Sequence, residues 1–486
     1  MKRLRWFDFA FINIFWLGMN IRNTAVGTIF MPYLVERYAP VDWRNTALSA
    51  MGTAGLIIAL IVQPIAGLLS DRSTSRFGRR RPFIMAGTLL DLVFLAAIGL
   101  SGSYWSLLVA ILLIQFSANV SHGPLQGLIP DMVPEDQRGR ASAIKAIFEL
   151  VAIFLVGLTV AALVGAGQLG LAIVVTGAGL LFTALVTMVT VKEQPLKEKP
   201  TDSFWPPVLR VFYMLGGILA GALVGILAGA ALGGVVGLIT WLLADKATAI
   251  TVAVGLGGIL AMILSVVTGV WAGSITAIGK EARQHSSFIW WIVNRLFFLA
   301  AITSLQRFAL YFFMYAFNIE VEPATTLFGR LITVVGVFTL ASALAAGWLA
   351  DRFNHKTLVG WSGILATLGG LTLLGSVWVP NPAIIYVAGT LLGLATGMFM
   401  TVNWAMGTNL APAKEAGRFL GISNLAGAGA GMIGGSIGGP VADYLNISTP
   451  GLGYFVIFAG YAVLFLLSTV SLRFIRELKH SIPAET

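Results

Sequence analysis

Gly67–Pro82 reads GLLSDRSTSRFGRRRP, which places Arg72, Arg76, Arg79, Arg80 and Arg81 within ten residues of a chain that is otherwise mostly apolar. Of the 486 residues, 57% are hydrophobic and 11% charged, and the mean hydropathy is +0.87. These values lie far from those of soluble globular domains. Apolar runs of twenty or more residues alternate with short polar breaks, and about 20 apolar residues carry a helix across a hydrocarbon core. Inside lipid each segment must satisfy its own backbone polar groups, so the expected fold is an all-α polytopic membrane protein. The basic, apolar N-terminus has no evident cleavage site and reads as the first spanning helix. There is no cysteine, and the four histidines (His122, His285, His355, His480) show no metal-ligand spacing. No cofactor and no metal are expected.

Spanning helices are expected near 9–34, 47–70, 83–101, 105–129, 142–165 and 170–191. A second series is expected near 297–319, 326–349, 357–379, 383–408, 419–440 and 452–474. The apolar block at about 208–278, broken at Ala244–Ala247, adds two more and makes fourteen. Loops rich in Lys and Arg remain cytoplasmic. Putting the Gly67–Pro82 stretch inside sends 25 of the 31 cations to that side, with Arg37, Arg44, Lys246 and Arg330 outside and Arg22 and Arg307 within the membrane. Both termini are then cytoplasmic, and the net charge of +10 reports topology in a cell membrane and contact with its lipids, not a nucleic-acid partner.

The two series repeat each other. GLLSDR (67–72) recurs as GWLADR (347–352), and PEDQRGR (134–140) as PAKEAGR (412–418). Without the central block each repeat suits a six-helix bundle, which divides the chain into 1–191, a linker and hairpin over 192–296, and 297–486. Paired repeats of this kind place a substrate site at their interface near the bilayer midplane. The loop after the second helix resembles the signature loop of the major facilitator superfamily. Ile61–Ile84, Asn119–Pro134 and Asn403–Pro412 are similar to the sucrose-transporter branch and the related glycoside-pentoside-hexuronide cation symporters. That resemblance implies a secondary transporter, not an enzyme, that moves a sugar or glycoside by alternating access, usually with proton or sodium and as a monomer. The chain departs from the branch at Gln115 and Gln126, where relatives usually carry an acid and an arginine, and at Asn403, where an acid is common. With cations and no secure acid in the expected cavity, an organic anion such as a sugar acid is the second substrate class, ahead of export of a cationic drug. Neither a membrane enzyme nor a channel fits as well, because the loops offer no nucleophile-base pairing and two repeat-related loops suit a gated carrier.

Asp71 and Arg72, with Arg80, Arg81 and Asp131, form a candidate cytoplasmic gate, and Asp351 and Arg352 its thinner counterpart in the second repeat. Asp131 is a plausible partner for Arg80 or Arg81. Such contacts would form when the outer side is open and break as the cytoplasmic side opens; the alternative is that these arginines only enforce topology, the reading that fits Arg79 best. In the central block Gly217, Gly221, Gly225, Gly229, Gly233 and Gly237 recur every four residues, a side-chain-free stripe for close helix approach, between protomers or within the hairpin.

Ionisable groups inside a membrane are costly and mark function. The resemblance assigns the first, fourth, seventh and tenth bundle helices to the cavity, which makes Arg22, Asn23, Asn119, His122, Arg307, Tyr311, Asn403 and Trp404 the candidate substrate residues. Amides and arginine donate to hydroxyls, and an aromatic ring covers an apolar sugar face. Asn119 and Asn403 could instead tie helix to helix. Coupling candidates are His122, Glu149, which sits one turn after Lys145, and Asp91, whose helix is expected to lie away from the cavity.

Overall fold

The computed structural model describes residues 3–193, 195–196, 203–279, 282, 284–410 and 416–476, with the side chains of 207, 278 and 416–428 excluded. Fourteen long helices follow in order. α1 runs from Trp6–Thr24 through a π-helical Ala25–Phe30 into Met31–Tyr38. Then come α2 (Arg44–Asp71), α3 (Arg81–Gly99), α4 (Tyr104–Gln126), α5 (Arg138–Leu155, continued to Gly165), α6 (Leu169–Thr190) and the central pair α7 (Trp205–Leu243) and α8 (Lys246–Ile278). The second series is α9 (Ser286–Phe317), α10 (Val321–Ala350), α11 (His355–Gly375), α12 (Pro382–Leu410), α13 (Ala416–Ser448) and α14 (Leu452–Ser471). Twelve of these, among the described residues, are long and apolar enough to cross a membrane. The other two are α1, which carries Asp8, Arg22, Glu36 and Arg37, and α13. The fourteen helices alternate in direction, so the start of α1 and the end of α14 lie at one face of the bundle, called the terminal face, and the other is the opposite face.

Local chemistry starts several helices. Ser103 accepts the Ser106 N–H ahead of α4, Asp245 accepts those of Ala247 and Thr248 ahead of α8, and Asn354 accepts that of Lys356 ahead of α11, each meeting an N–H that has no partner inside its helix. α9 ends on Asn318 in the left-handed region (φ 50°), a conformation that asparagine tolerates.

Two expected boundaries move. α9 begins at Ser286 instead of near 297, so Arg295, counted with a cytoplasmic loop, lies inside a membrane helix. α13 continues past Pro440 to Ser448, because proline is tolerated in a membrane helix whose neighbours satisfy the freed backbone groups.

Within each half the same helices pair: α1 packs on α5 and α6, α3 and α2 on α4, and in the second half α9 on α13 and α14, α11 and α10 on α12. The halves meet through α2 with α13 and α5 with α10. These junctions are repeat-related and use the same device. Gly157 of α5 packs against Thr333 of α10, and Gly439 of α13 against Ser49 of α2. A Cβ at either glycine would collide with its neighbour. The hairpin stands outside this symmetry, with α8 resting on α13, α9 and α14 of the second half. The glycine stripe of α7 is spent on its partner: a Cβ at Gly225, Gly229 or Gly233 would strike the α8 backbone at Ser265, Ala261 or Gly257. Of the two expected uses of the stripe, packing within the hairpin is the one seen.

Candidate substrate site and gates

The hydrogen bonds and ion pairs described between the halves lie toward the opposite face. Glu322 of α10 receives Arg37 (2.6 Å) and Tyr33 (2.9 Å) of α1. Asp443 of α13 accepts from Asn45 and Thr46 at the start of α2. Tyr311 of α9 donates to the Pro32 carbonyl at 2.9 Å. Fully buried there, with the Arg44 guanidinium 5.1 Å over its ring, Tyr311 seals the opposite face and does not front a cavity. This corrects its expected place among the substrate residues. Its spacing from Arg307 fixed a shared helix face but not what that face meets.

At the terminal face the arginine-rich loop is tied to its own half. Arg80 bridges Asp71 (2.7 Å) and Asp131, and Arg79 also pairs with Asp131, which holds the Arg79 guanidinium above its usual pKa through that hydrogen bond. The backbone N–H groups of Arg80 and Arg81 donate to Glu193, and the Arg81 side chain donates to the Met188 carbonyl. Gly78 makes this turn possible: its φ is +102° and a Cβ would strike the Glu193 carboxylate, a place glycine fits without strain. Of the two partners expected for Asp131, Arg80 is the one seen. Two expectations change: Arg79 is an ion-pair partner, not only a topological signal, and the Asp71–Arg80–Asp131 pairs hold with the opposite face joined, bracing α2, α3 and α4 within one half. Arg72 lies 5.6 Å over Phe204, just before α7. Asp351 has no ion-pair partner among the described residues, and Arg352 rests 3.8 Å over Trp348. The matching loop at 412–415 lies outside the described residues.

Midway along the first half, Arg22 of α1 and Asp91 of α3 pair at 3.1 Å with side chains 3% and 1% exposed. Ser117 of α4 donates to the other Asp91 oxygen. Arg22 also donates to Asn23 at 2.6 Å, and Asn23 is exposed although it sits mid-helix. Asp91 is therefore linked to an exposed amide through one arginine. Nearby, His122 lies edge-on to Trp16 at 5.4 Å, with Gln126 Nε2 3.3 Å from its ring, and Lys145 sits 4.0 Å over Trp16 while pairing with Glu149 at 3.4 Å. Asn119 donates to the Gln115 carbonyl of its own helix and ties no second helix among the described residues.

The second half holds a related arrangement. Arg295 of α9 lies 5.1 Å over the Trp404 ring of α12 and reaches Asn403 Oδ1 at 3.3 Å, while its Nε is buried without a partner among the described residues. Asn403 donates to Asn294 at 2.7 Å, and Asn294 donates to Ser468 of α14. Asn403 is thus a helix-to-helix tie that also positions Arg295. Arg295 is a residue the sequence reading missed; its signal was the neighbouring Trp290–Trp291 pair and Asn294 in an otherwise apolar run. Arg307 sits between the halves, its Cζ 3.0 Å from where a Cβ of Gly52 would be, and Nη1 is buried against Gly435 without a hydrogen-bond partner among the described residues. No acid pairs with Arg295 or Arg307 among the described residues.

Two cavities lie at the opposite face, away from these groups. One of about 650 Å³ is bordered by Arg37, Tyr38, Trp43, Tyr104 and Trp105, and one of about 160 Å³ by Arg44, Asn45, Asp443 and Tyr454.

The family model described as Major Facilitator Superfamily matches residues 14–287 and 296–485. The chain belongs to the Major Facilitator Superfamily. Among its relatives, the sucrose transport protein SUT1 of Oryza sativa subsp. japonica is 33% identical over 150 residues, 26% of this chain and 28% of the relative. The general alpha-glucoside permease of Schizosaccharomyces pombe is 30% identical over 128 residues, 23% of this chain and 22% of the relative. The chain thus spans about a quarter of the length of the curated relatives it matches. The fold is that of a D-xylose-proton symporter structure, with a TM-score of 0.66 at 14% identity over 97% of this chain and 98% of that one. A nucleoside transporter structure gives a TM-score of 0.63 at 12% identity, over 96% and 99%.

Proposed function

We propose that this superfamily member is a secondary transporter, not an enzyme, that carries a sugar or glycoside by rocking its two halves about a central site. The observation that carries the reading is the Arg295–Asn403–Trp404 platform: a ring for an apolar sugar face, with a guanidinium held beside it for hydroxyls. It is supported by the partial similarity to sucrose transporters and an alpha-glucoside permease. Across the interface Arg22, Asn23, Asn119 and His122 would complete the site, with Arg307 between the halves. The hairpin 205–278 is an insertion outside the two transporting halves, whose repeat is complete without it.

Asp91, paired with Arg22, is the proposed proton-coupling carboxylate. A substrate that engages Asn23 and Arg22 would loosen Arg22 from Asp91 and let the acid take a proton. The terminal face is assigned to the cytoplasm of the cell membrane from its cations, which makes the described state closed to the outside. A monomer suffices for this mechanism.

A sugar acid is the second reading, favoured by Arg295 and Arg307, which have no acid partner among the described residues. Thermal stabilisation of purified protein by glucosides, free sugars and sugar acids at two pH values separates the two. Stabilisation by glucosides that Arg295→Gln weakens supports the first, stabilisation by sugar acids alone supports the second, and none by either class overturns both.

A further inference from the structure

We propose that Asp443 is the latch of the opposite face, acting as a helix cap supplied by one half to the other. α2 starts from Trp43 without a side-chain cap of its own, and the first N–H groups of any helix have no partner within it. Asp443, 3% exposed on α13, fills that vacancy across the interface. Its Oδ1 accepts Asn45 Nδ2 at 2.7 Å and the Asn45 N–H at 3.3 Å, and its Oδ2 accepts the Thr46 N–H at 2.7 Å. A carboxylate at a helix N-terminus is further favoured by the helix dipole.

The neighbouring charges leave Asp443 to this task. Arg44 is engaged by both oxygens of Glu36, at 2.9 and 3.1 Å, and no cation lies in ion-pair range of Asp443 among the described residues. The other titratable groups around the small cavity it borders are Asp42, Tyr315 and Tyr454. One turn before Asp443, Gly439 packs against Ser49 and the Asn45 carbonyl, and a further turn before that Gly435 packs against Arg307. The α2–α13 junction is thus close-packed, without ion pairs among the described residues, and at its end a charged group holds three N–H donors. Parting the halves here strips the cap from α2 and the N–H donors from Asp443 in one step. The interaction therefore weights the balance between the closed and open forms of this face without touching substrate.

This inference rests on the alternating-access reading, and its test is independent of transport. The chain has no cysteine, so spin labels at Gly102→Cys in the first half and Val379→Cys in the second report the opening of the opposite face as a distance. In Asp443→Asn an amide N–H₂ faces N–H donors, and the ratio of long to short distances should rise at least about fivefold, the size of a lost cap. Asn45→Ala removes one of the three bonds and should shift the ratio less; combined with Asp443→Asn it should add nothing further. If Asp443→Asn does not yield monodisperse protein, Asn45→Ala alone decides, and a parent-like distribution in it overturns the proposal. So does a folded Asp443→Asn with parent-like distances, or full additivity of the two changes. A shifted Asp443→Asn in a protein that moves no sugar keeps the latch and overturns the transport reading instead.

Discussion

Asp91→Asn is the sharpest single test of the Arg22–Asp91 pair. The charges lie 3.1 Å apart. At an effective dielectric of about 20 their attraction is about 5 kcal/mol, set against the cost of taking both ions out of water. Removing one member leaves the other buried and uncompensated, which costs about 3–5 kcal/mol. Asp91→Asn and Arg22→Gln should each destabilise by that amount, while the double substitution should recover at least about 2 kcal/mol of the summed loss, because neither charge is then orphaned. Unfolding by SDS titration in mixed micelles measures all four corners of the cycle, and proton-dependent uptake in vesicles reads coupling in parallel. Additive losses with a coupling near zero would refute the pair as an energetic unit. Normal proton dependence in a folded Asp91→Asn would refute its role in coupling.

Arg295→Gln and Trp404→Ala should each weaken binding of a glucoside by roughly five- to a hundredfold, the range expected when a buried polar group loses its bound partner; titration calorimetry in detergent checks this, and unchanged affinity in both places the site elsewhere. Gly229→Leu should separate α7 from α8 and lower the melting temperature, whereas replacing 205–278 with a short polar linker should leave substrate binding intact in any folded product. Cysteines at Gly102 and Ile447 should react with an impermeant thiol reagent in intact cells and one at Asp136 should not, and labelling at Asp136 would reverse the assigned orientation.

The helices were legible because lipid imposes a coarse rule: long apolar runs are spans, and cations sort the loops between them. The same rule misled at two edges. Arg295 looked like the end of a cytoplasmic loop because its charge was counted before its neighbours, although Trp291 and Asn294 place it on an apolar helix whose partners on α12 and α14 bind its surroundings. Asp443 went unseen because Pro440 read as a helix end, while the structure carries α13 two turns further. The Lys145–Glu149 pair was readable from spacing, since both residues belong to one helix. Arg22–Asp91 was not, since nothing in either segment says which neighbour it meets. Tyr311 shows the same limit: a pattern gives the face of its own helix, and only packing shows that Pro32 lies opposite.

The length of α7 has a consequence of its own. Its 39 residues rise about 1.5 Å each, close to twice the ~30 Å depth of a hydrocarbon core, and its outer side presents Leu219, Leu223, Leu227, Val235 and Leu238 to the surroundings. A helix so mismatched must lean or drag the bilayer to its own thickness, and its glycine seam with α8 passes that lean to α13 and α14. On the transport reading, membrane thickness would act as a mechanical load on the second half, and the same chain in short-tailed and long-tailed lipid would work under different tension.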